Sequence, residues 1–409
     1  MAHQFSTLPP NTPGKPSPFT LHIPDADLAD FKDLLRLSPI GPATYWNTPP
    51  ASNKTNYGII RSWMSAAKET WLDESEFSWR AQEKYINSFP NFKIPVSDSE
   101  VGDVSMHFTA LFSKRSDAVP ILFLHGYPGS FMEFLPMMEL LVQKYTPQTL
   151  PYHVIVPSLP DYCLSGPANS HVEMTLERAA GLLNGLMVEL GFGEGYVVQG
   201  GDLGSMLGRI MSVEYEGCKA LHVNMLVLNP DQTPPNIDPT PKEQEHLARS
   251  AEWQKTGFAY ALEHATRPAT VGLAMASSPL ALLAWIGEKH LEWTSSTTPL
   301  PLSSILSTTT LWWHTSTLPR SLYHAQLVKN MMAGKAHPIT TTKALGYSCF
   351  PYDMAMLPES WMSELYPNAV FYKRREKGGH FGALEDPEGL LEDFEEFVGR
   401  AMGVIFGSE

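Results

Sequence analysis

The chain has little cysteine and a deficit of positive charge. Its three cysteines in 409 residues are far apart, which excludes a disulfide framework or a regular zinc spacing and favours a reducing compartment. Lys and Arg total 29 against 43 Asp and Glu, and the net charge of −14 argues against nucleic acid or anionic membranes as partners. Residues 1–18 lack a positively charged start followed by an apolar run. We therefore expect no signal peptide or membrane anchor, and a cytoplasmic protein.

The sequence does contain an acidic residue bracketed by glycines, within YVVQGGDLGS at 196–205. Val197 and Val198 are typical of the end of a buried strand, and a helical pattern follows from Met206 to Glu214. Small residues around one reactive side chain indicate a nucleophile elbow, a sharp strand-to-helix turn that requires glycine for close packing. The residue at its apex is Asp202. The alternative is a turn that only links a strand to a helix.

An aspartate at this apex predicts different chemistry from the serine of an esterase or lipase. A carboxylate is a poor nucleophile for acyl transfer, but it can displace a leaving group at a saturated carbon. The product is an alkyl ester on the enzyme, which water can later hydrolyse. Asp202 therefore favours an epoxide or an alkyl halide as the substrate.

Further candidate residues follow in the order nucleophile, acid, histidine that is typical of α/β-hydrolases. His380 lies in a Gly-Gly-His loop after the last predicted strand, where a catalytic base is expected. Asp353 follows an earlier strand and is the favoured acid. The backbone N–H groups of Tyr127 and Leu203 are candidates for an oxyanion hole, unless the segment 125–128 is only a Gly/Pro turn. Two other carboxylates compete with the favoured acid: Glu359 and Glu364.

The order of predicted elements indicates an α/β fold with a doubly wound, mostly parallel sheet. The continuous apolar run at 119–124 is typical of a central parallel strand. Between about 229 and 339, helical patterns rich in Leu, Ala and Trp replace the alternation and predict an inserted helical cap. We divide the chain into an N-terminal helical extension (1–98), a first part of the core (99–230), the cap (231–340) and a second part of the core (341–409).

Three motifs together resemble the microsomal-type epoxide hydrolases, particularly their soluble fungal branch. They are HGYPGS at 125–130, GGDLGS at 200–205 and GGHF at 378–381. The likeness extends over nearly the whole chain and includes HATRP at 264–268 within the predicted cap. The resemblance implies an α/β-hydrolase fold, a small-molecule epoxide as the partner, and no metal or organic cofactor. The sequence leaves a homodimer open.

The resemblance also implies a two-step mechanism. Asp202 attacks a carbon of the epoxide while two cap tyrosines donate hydrogen bonds to the epoxide oxygen. Water activated by His380, which Asp353 orients, then hydrolyses the ester to a vicinal diol. Tyr260 matches the first of the two cap tyrosines.

At the second cap tyrosine the sequence departs from the family pattern. Ala325 stands where the tyrosine is usual. Tyr323 lies two residues earlier, a rotation of roughly 200° on a helix, and His324 is another possible donor. Asp161 also stands at a position that is often glycine in the family. These changes leave open the substrate and the use of water as the final nucleophile.

Four functions are consistent with an apex aspartate, and an epoxide hydrolase is the favoured one. The nearest alternative is an epoxide-opening cyclase or isomerase, in which a hydroxyl of the substrate replaces water. A haloalkane dehalogenase is disfavoured, because that family favours Trp where this chain has Leu203. A non-catalytic receptor is disfavoured by the intact set of Asp202, Asp353 and His380, which binding alone does not need.

Overall fold

A computed structural model of the chain describes residues 2–48, 57–227, 234, 236–333 and 341–406. Within these ranges the central feature is one nine-stranded sheet with the spatial order β1-β2-β3-β5-β4-β6-β7-β8-β9. Its first three pairs of neighbouring strands are antiparallel and its remaining five pairs are parallel, as the predicted mostly parallel sheet requires. In chain order the strands are β1 (Ser17–Phe19), β2 (Asn91–Asp98), β3 (Gly102–Leu111), β4 (Val119–Leu124), β5 (Tyr152–Pro157), β6 (Tyr196–Gly200), β7 (Cys218–Val223), β8 (Ala344–Cys349) and β9 (Ala369–Arg374).

The middle of the sheet positions the loops that carry the predicted site. The apolar run predicted as a central strand is β4, which pairs in parallel with β5 on one side and β6 on the other. Strands β5 and β6 are buried along their whole length. Leu124, the last residue of β4, lies opposite Gly200, the last residue of β6. The loops after these two strands therefore emerge side by side.

Helices flank the sheet and fill the interval between β7 and β8. In the described residues that interval contains seven of the helices, α7 to α13, in the region where the sequence predicts the cap. The predicted boundaries of the cap, 231 and 340, lie outside the described residues. In chain order the helices are α1 (Asp25–Leu37), α2 (Arg61–Leu72), α3 (Trp79–Ile86), α4 (Leu135–Lys144), α5 (Leu176–Glu189), α6 (Asp202–Glu214), α7 (Pro241–Thr256), α8 (Ala259–Thr266), α9 (Pro268–Met275), α10 (Pro279–Glu292), α11 (Leu302–His314), α12 (Thr317–Arg320), α13 (Ala325–Met332), α14 (Glu359–Leu365), α15 (Gly382–Glu385) and α16 (Pro387–Phe406).

The core helices lie on both faces of the sheet. Gly208 of α6 is so close to Leu221 of β7 that an added Cβ would come within 2.7 Å of the Leu221 side chain. The next residue of β7 is His222, and the centroid of its ring lies 5.3 Å from that of Phe397 in α16. Adjacent residues of a strand point to opposite faces. Helices α6 and α16 therefore cover opposite faces, as a doubly wound sheet requires.

The N-terminal region differs from the predicted helical extension in one respect. It contains α1, α2 and α3, but β1 and β2 also lie within residues 1–98 and extend the sheet. The sequence predicts the first strand near Val104 and a helical pattern up to Phe92, whereas β2 already begins at Asn91. The extension is thus joined to the core by strand pairing as well as by helix packing.

All three cysteines of the chain are free and buried. Burial raises the pKa of the Cys163 and Cys218 thiols to about 12 and also raises the pKa of the Cys349 thiol. In the described ranges no single helix is long and apolar enough to cross a membrane. The pair α9 and α10 satisfies the same criteria of length and composition only when taken together, and it is bent by 117°.

Candidate active site

The turn between β6 and α6 presents Asp202 with a constrained backbone. The φ angle of Asp202 is 46°, in the left-handed region that residues with a Cβ rarely adopt. A Cβ on Gly200 would lie 2.4 Å from the backbone of Gly204, and a Cβ on Gly204 would lie 2.2 Å from the carbonyl oxygen of Leu124. The glycines are therefore required for this turn, and a strained non-glycine residue at its apex is typical of a functional site.

The two carboxylate oxygens of Asp202 have different surroundings. The backbone N–H of Tyr127, in the loop after β4, donates a hydrogen bond of 2.7 Å to Oδ1. Oδ2 lies 3.7 Å from Nε2 of His380. The N–H of Leu203 lies in the first turn of α6, where N–H groups have no partner within the helix. One oxygen is thus held by the Tyr127 N–H, one of the two predicted oxyanion-hole donors, and the other faces the predicted base.

His380 lies between two carboxylates, as the order of the motifs predicts. Its Nδ1 is 3.0 Å from Oδ1 of Asp353, which follows β8 and is buried. The backbone N–H of His380 donates to the carbonyl of Trp293 in the cap, which holds the loop in place. In the described residues Asp353, and neither Glu359 nor Glu364, is the carboxylate hydrogen-bonded to this imidazole.

The surroundings of His380 favour its charged form. Burial alone lowers the pKa of His380, but the negative charges of Asp353, Asp202 and Glu133 oppose that effect and raise the pKa to about 9. His380 is therefore an imidazolium at neutral pH while Asp202 is an anion. It becomes a base only if part of that negative charge is removed.

Tyr260 is close to this site. It lies on α8, and its ring is stacked on that of Tyr127 with a centroid distance of 5.8 Å and an interplanar angle of 11°. Burial, and then the charge of Asp202, raise the pKa of Tyr260 well above 10. The hydroxyl therefore keeps its proton and is available as a hydrogen-bond donor near the nucleophile.

Tyr323, the other predicted cap tyrosine, is not brought to the nucleophile in the same way. It lies in a 3₁₀ turn, Leu322–His324, and its buried hydroxyl has no hydrogen-bond partner in the described residues. Its ring packs edge-to-face against the ring of Tyr162, with a centroid distance of 5.8 Å. Burial, and then the charge of Asp161, raise the pKa of Tyr323, whereas Asp202 does not contribute. Its role as a donor stays a prediction.

The neighbouring His324 points into the aromatic cluster around the nucleophile. Its ring is stacked on Tyr127 at a centroid distance of 4.5 Å, and its Nε2 lies 3.1 Å from Nδ1 of His264. Ala325 begins α13 and is buried against small side chains of α8. The position of the usual second tyrosine is therefore a closely packed alanine, with His324 beside it.

The backbone at Asp161 has a conformation that favours glycine, which is the usual residue at this position in the family. Its φ angle is 59°, again in the left-handed region. The carboxylate compensates by accepting the backbone N–H of Ala168 at 2.9 Å, and it lies 3.5 Å from Nη1 of Arg320 in the cap. The substitution thus adds a contact between the core and the cap.

Glu133 is a site residue that the sequence reasoning missed. The motif HGYPGSFME predicts it only as a helix-capping partner of Ser130, whose N–H does donate to Glu133 at 3.0 Å. The structure also places Glu133 in a small cavity with Asp202 and His380. Burial raises the pKa of Glu133 to about 8. Only the fold reveals this proximity, because Glu133 is 69 positions from Asp202 in sequence and 247 positions from His380.

Comparisons with known proteins agree with this architecture. Residues 16–134 match the family model described as epoxide hydrolase N terminus, and residues 119–387 match that described as alpha/beta hydrolase fold. The solved structure of Aspergillus niger epoxide hydrolase is 41% identical, with a TM-score of 0.88 over 97% of this chain and 99% of its own. A Dothistroma septosporum protein, which carries a provisional epoxide hydrolase name, is 44% identical over 98% of this chain and 93% of its own.

The fold is shared more widely than the close sequence likeness. Juvenile hormone epoxide hydrolase from the silkworm Bombyx mori is 24% identical, with a TM-score of 0.82 over 96% of each chain. This likeness supports the fold, and the two closer relatives support the family. The chain therefore belongs to the epoxide hydrolase family of α/β-hydrolase enzymes, as its three motifs predict.

Proposed function

We propose that this enzyme hydrolyses an epoxide to a vicinal diol through an alkyl ester on Asp202. The supporting observation is the unequal treatment of the two Asp202 oxygens. Oδ1 accepts the Tyr127 N–H at 2.7 Å, and Oδ2 lies 3.7 Å from Nε2 of His380. The first oxygen already occupies the position of an ester carbonyl oxygen, and the second is free to attack.

In the first step, Oδ2 of Asp202 attacks one carbon of the epoxide ring. The carbon–oxygen bond breaks, and its electron pair moves onto the epoxide oxygen. The Tyr260 hydroxyl, which is protonated because of its raised pKa, donates a hydrogen bond to this oxygen and supplies its proton. The result is a neutral hydroxyalkyl ester on Asp202.

In the second step, water attacks the ester carbonyl carbon. Ester formation removes the charge of Asp202, which is one of the charges that keep His380 protonated. The proton of the imidazolium then passes through solvent to the Tyr260 phenolate, which leaves His380 neutral. His380 next takes a proton from the attacking water, while Asp353 holds the imidazole. The N–H groups of Tyr127 and Leu203 stabilise the oxyanion. When the ester bond breaks, the leaving alkoxide takes the second proton of that water, so the diol is released and the Asp202 carboxylate and the His380 imidazolium are restored.

The covalent ester provides the test. With styrene oxide as the probe, we expect His380→Gln to form the ester and to stall there, because forming the ester needs no base while hydrolysing it does. Intact-protein mass spectrometry should then show the protein plus one probe mass, on the peptide that carries Asp202. Asp202→Ala should fold, show no turnover and gain no mass. Unmodified His380→Gln protein after full exposure would contradict the proposal.

Isotope labelling separates hydrolysis from internal cyclisation or isomerisation. In ¹⁸O-water, a hydrolase transfers label into the diol over multiple turnovers, whereas attack by a hydroxyl of the substrate leaves the product unlabelled. The departure at Ala325 motivates this control. A labelled diol is the expected outcome, and an unlabelled cyclic ether would instead favour the cyclase.

A further inference from the structure

Four side chains, two of them buried and two partly buried, form a continuous line of polar contacts near the nucleophile. Nε1 of Trp285 lies 3.2 Å from Nε2 of His264, and Nδ1 of His264 lies 3.1 Å from Nε2 of His324. Nδ1 of His324 is then 3.4 Å from the hydroxyl of Tyr162, which is in the loop after β5. The line therefore begins in the cap and ends in the core.

The first end of the line offers two acceptors for one hydrogen. Nε1 of Trp285 lies 2.9 Å from the hydroxyl of Tyr127 and 3.2 Å from Nε2 of His264, and an indole N–H can only donate. Burial lowers the pKa of His264 to about 2, and its neutral ring therefore carries a single hydrogen. The position of that hydrogen is set by the other neighbour of His264, which is His324.

The other end fixes the tautomer of His324. Its Nδ1 lies 3.3 Å from the carbonyl oxygen of Ser321, and a carbonyl oxygen can only accept. The hydrogen of His324 is therefore on Nδ1, since burial lowers its pKa to about 4 and keeps the ring neutral. Its Nε2 then has a lone pair. The hydrogen of His264 must therefore be on Nδ1, and the central bond runs from His264 to His324.

This direction determines what the Tyr162 hydroxyl can do. The Nδ1 hydrogen of His324 is shared between the Ser321 carbonyl and the Tyr162 oxygen, and the Ser321 side chain is a further hydrogen-bond partner of that oxygen. Because His324 donates, the hydroxyl hydrogen of Tyr162 is left for an acceptor other than His324. Tyr162 is completely buried. It also belongs to the cluster around the nucleophile, because His324 is stacked on Tyr127, whose N–H holds Asp202. Burial and the charge of Asp202 raise the pKa of Tyr162 well above 10.

We propose that Tyr162 is the second hydroxyl donor to the oxygen of the opening epoxide, and that His264 and His324 are positioning residues that orient it. Tyr162 would thereby supply, from the core, the donor that the family pattern places at 325 in the cap, where this chain has alanine. The inference rests on the proposed function. In the ester-forming step Tyr162 donates a hydrogen bond without losing its proton, which still comes from Tyr260.

The test isolates ester formation. In the His380→Gln background, the rate of mass gain with styrene oxide reports that step alone, by rapid quench. Adding Tyr162→Phe should slow it roughly 10²-fold, as loss of one oxyanion donor does. The matched control is Tyr196→Phe, which removes the hydroxyl of a buried tyrosine at the start of β6 that is hydrogen-bonded to Asn184, and it should change the rate less than about threefold. Equal rates with and without the Tyr162 hydroxyl would overturn the proposal.

The positioning role has its own readout. His324→Asn keeps an N–H donor at the place of Nδ1, whereas His324→Leu removes it. We expect the leucine variant to lose most of the ester-forming rate. The asparagine variant should form the ester at least tenfold faster than the leucine variant. Equal rates in these two variants would contradict the proposal even if Tyr162→Phe failed to fold. If the His380→Gln parent itself gains no mass, it is the proposed function that fails.

Discussion

At the scale of single residues, the protonation of His380 is coupled to the charge of Asp202. Asp202 is one of three carboxylates that raise the pKa of His380 to about 9 from an ordinary value of 6.5. Conversion of this carboxylate to an ester removes one of these charges, and the pKa of the imidazole must then fall. In the proposed mechanism, ester formation would therefore generate the base that the second step needs.

This coupling can be measured without substrate. Asp202→Asn is neutral like the ester, so we expect the His380 pKa to fall below about 9 in an NMR titration of labelled histidine. The sign follows from electrostatics, since loss of a nearby anion disfavours the imidazolium. His380→Gln identifies the resonance. A pKa of about 9 in both proteins would show that Asp202 does not control the protonation of His380.

The two predicted cap tyrosines should contribute unequally. Tyr260 is stacked on Tyr127 and is close enough to Asp202 for its pKa to be affected, whereas the charge that affects Tyr323 is that of Asp161. We expect Tyr260→Phe to lower kcat roughly 10²- to 10³-fold. Tyr323→Phe should have a much smaller effect. Steady-state kinetics of both variants on one epoxide provide the comparison, and equal losses would refute the assignment.

The sequence predicts the reactive residues of the site better than their supporting contacts. Asp202 and His380 lie in glycine-rich motifs, and Asp353 follows a strand, so local signals identify all three. The orientation of Tyr323 depends on a 3₁₀ turn of three residues, where helical periodicity gives the wrong rotation. Tyr162 acquires its possible role only through contacts with a histidine 162 residues away.

At the scale of helices and strands, the close approach of α6 to β4 determines the position of the nucleophile. Gly204 allows it, because an added Cβ would lie 2.2 Å from the Leu124 carbonyl oxygen. The same strand leads into the loop that carries the Tyr127 N–H. The packing of this one helix therefore sets both the apex aspartate and its hydrogen-bond donor.

Two helical glycines should respond in opposite ways to the same substitution. Helix propensity alone predicts that Ala stabilises either helix by about 1 kcal/mol. Gly399 of α16 has no atom within 4 Å of an added Cβ, so we expect that gain for Gly399→Ala. Gly204→Ala should instead destabilise by about 1–3 kcal/mol through overpacking, and should lower activity. Urea unfolding of both variants tests this, and a stabilised Gly204→Ala protein would contradict the predicted clash.

Strand β2 shows why the extension was predicted to be only helical. Phe92, Ile94 and Val96 alternate in burial as a strand requires, but Pro95 within this run argues against a strand. The register resolves the conflict, because β1 pairs only with residues 91–93 of β2. Pro95 therefore lies where β2 has a free edge on that side, which proline tolerates. Pairing with a distant three-residue strand is not readable from local sequence.

At the scale of the whole molecule, the N-terminal extension joins the cap to the core. Trp71 of α2 is fully buried, and its Nε1 donates to the hydroxyl of Thr310 in α11 at 2.9 Å. Two residues further along α11, on the opposite side of the helix, Nε1 of Trp312 donates to the carbonyl of Gly129 in the core at 3.0 Å. Helix α11 is thus held from both sides.

Removing the first of these anchors should destabilise the protein strongly. We expect Trp71→Ala to cost about 3–5 kcal/mol, because it deletes a buried aromatic side chain together with its hydrogen bond to Thr310. Trp46→Ala is the matched control, since Trp46 is 60% exposed, and its effect should be within about 0.5 kcal/mol. Guanidinium unfolding measures both. Similar stabilities for the two variants would mean that the extension does not anchor the cap.

The buried cysteines have a practical consequence for following the cap during turnover. Cys163, Cys218 and Cys349 combine burial with raised thiol pKa values, so at neutral pH a maleimide reagent has no accessible native thiolate to attack. A cysteine introduced at Leu273 of α9, which is 72% exposed, would then carry a fluorophore selectively. A second at Leu37, at the end of α1, is 77% exposed and would complete a donor–acceptor pair. Single-molecule distance measurements on this protein would therefore not require the native cysteines to be replaced before labelling.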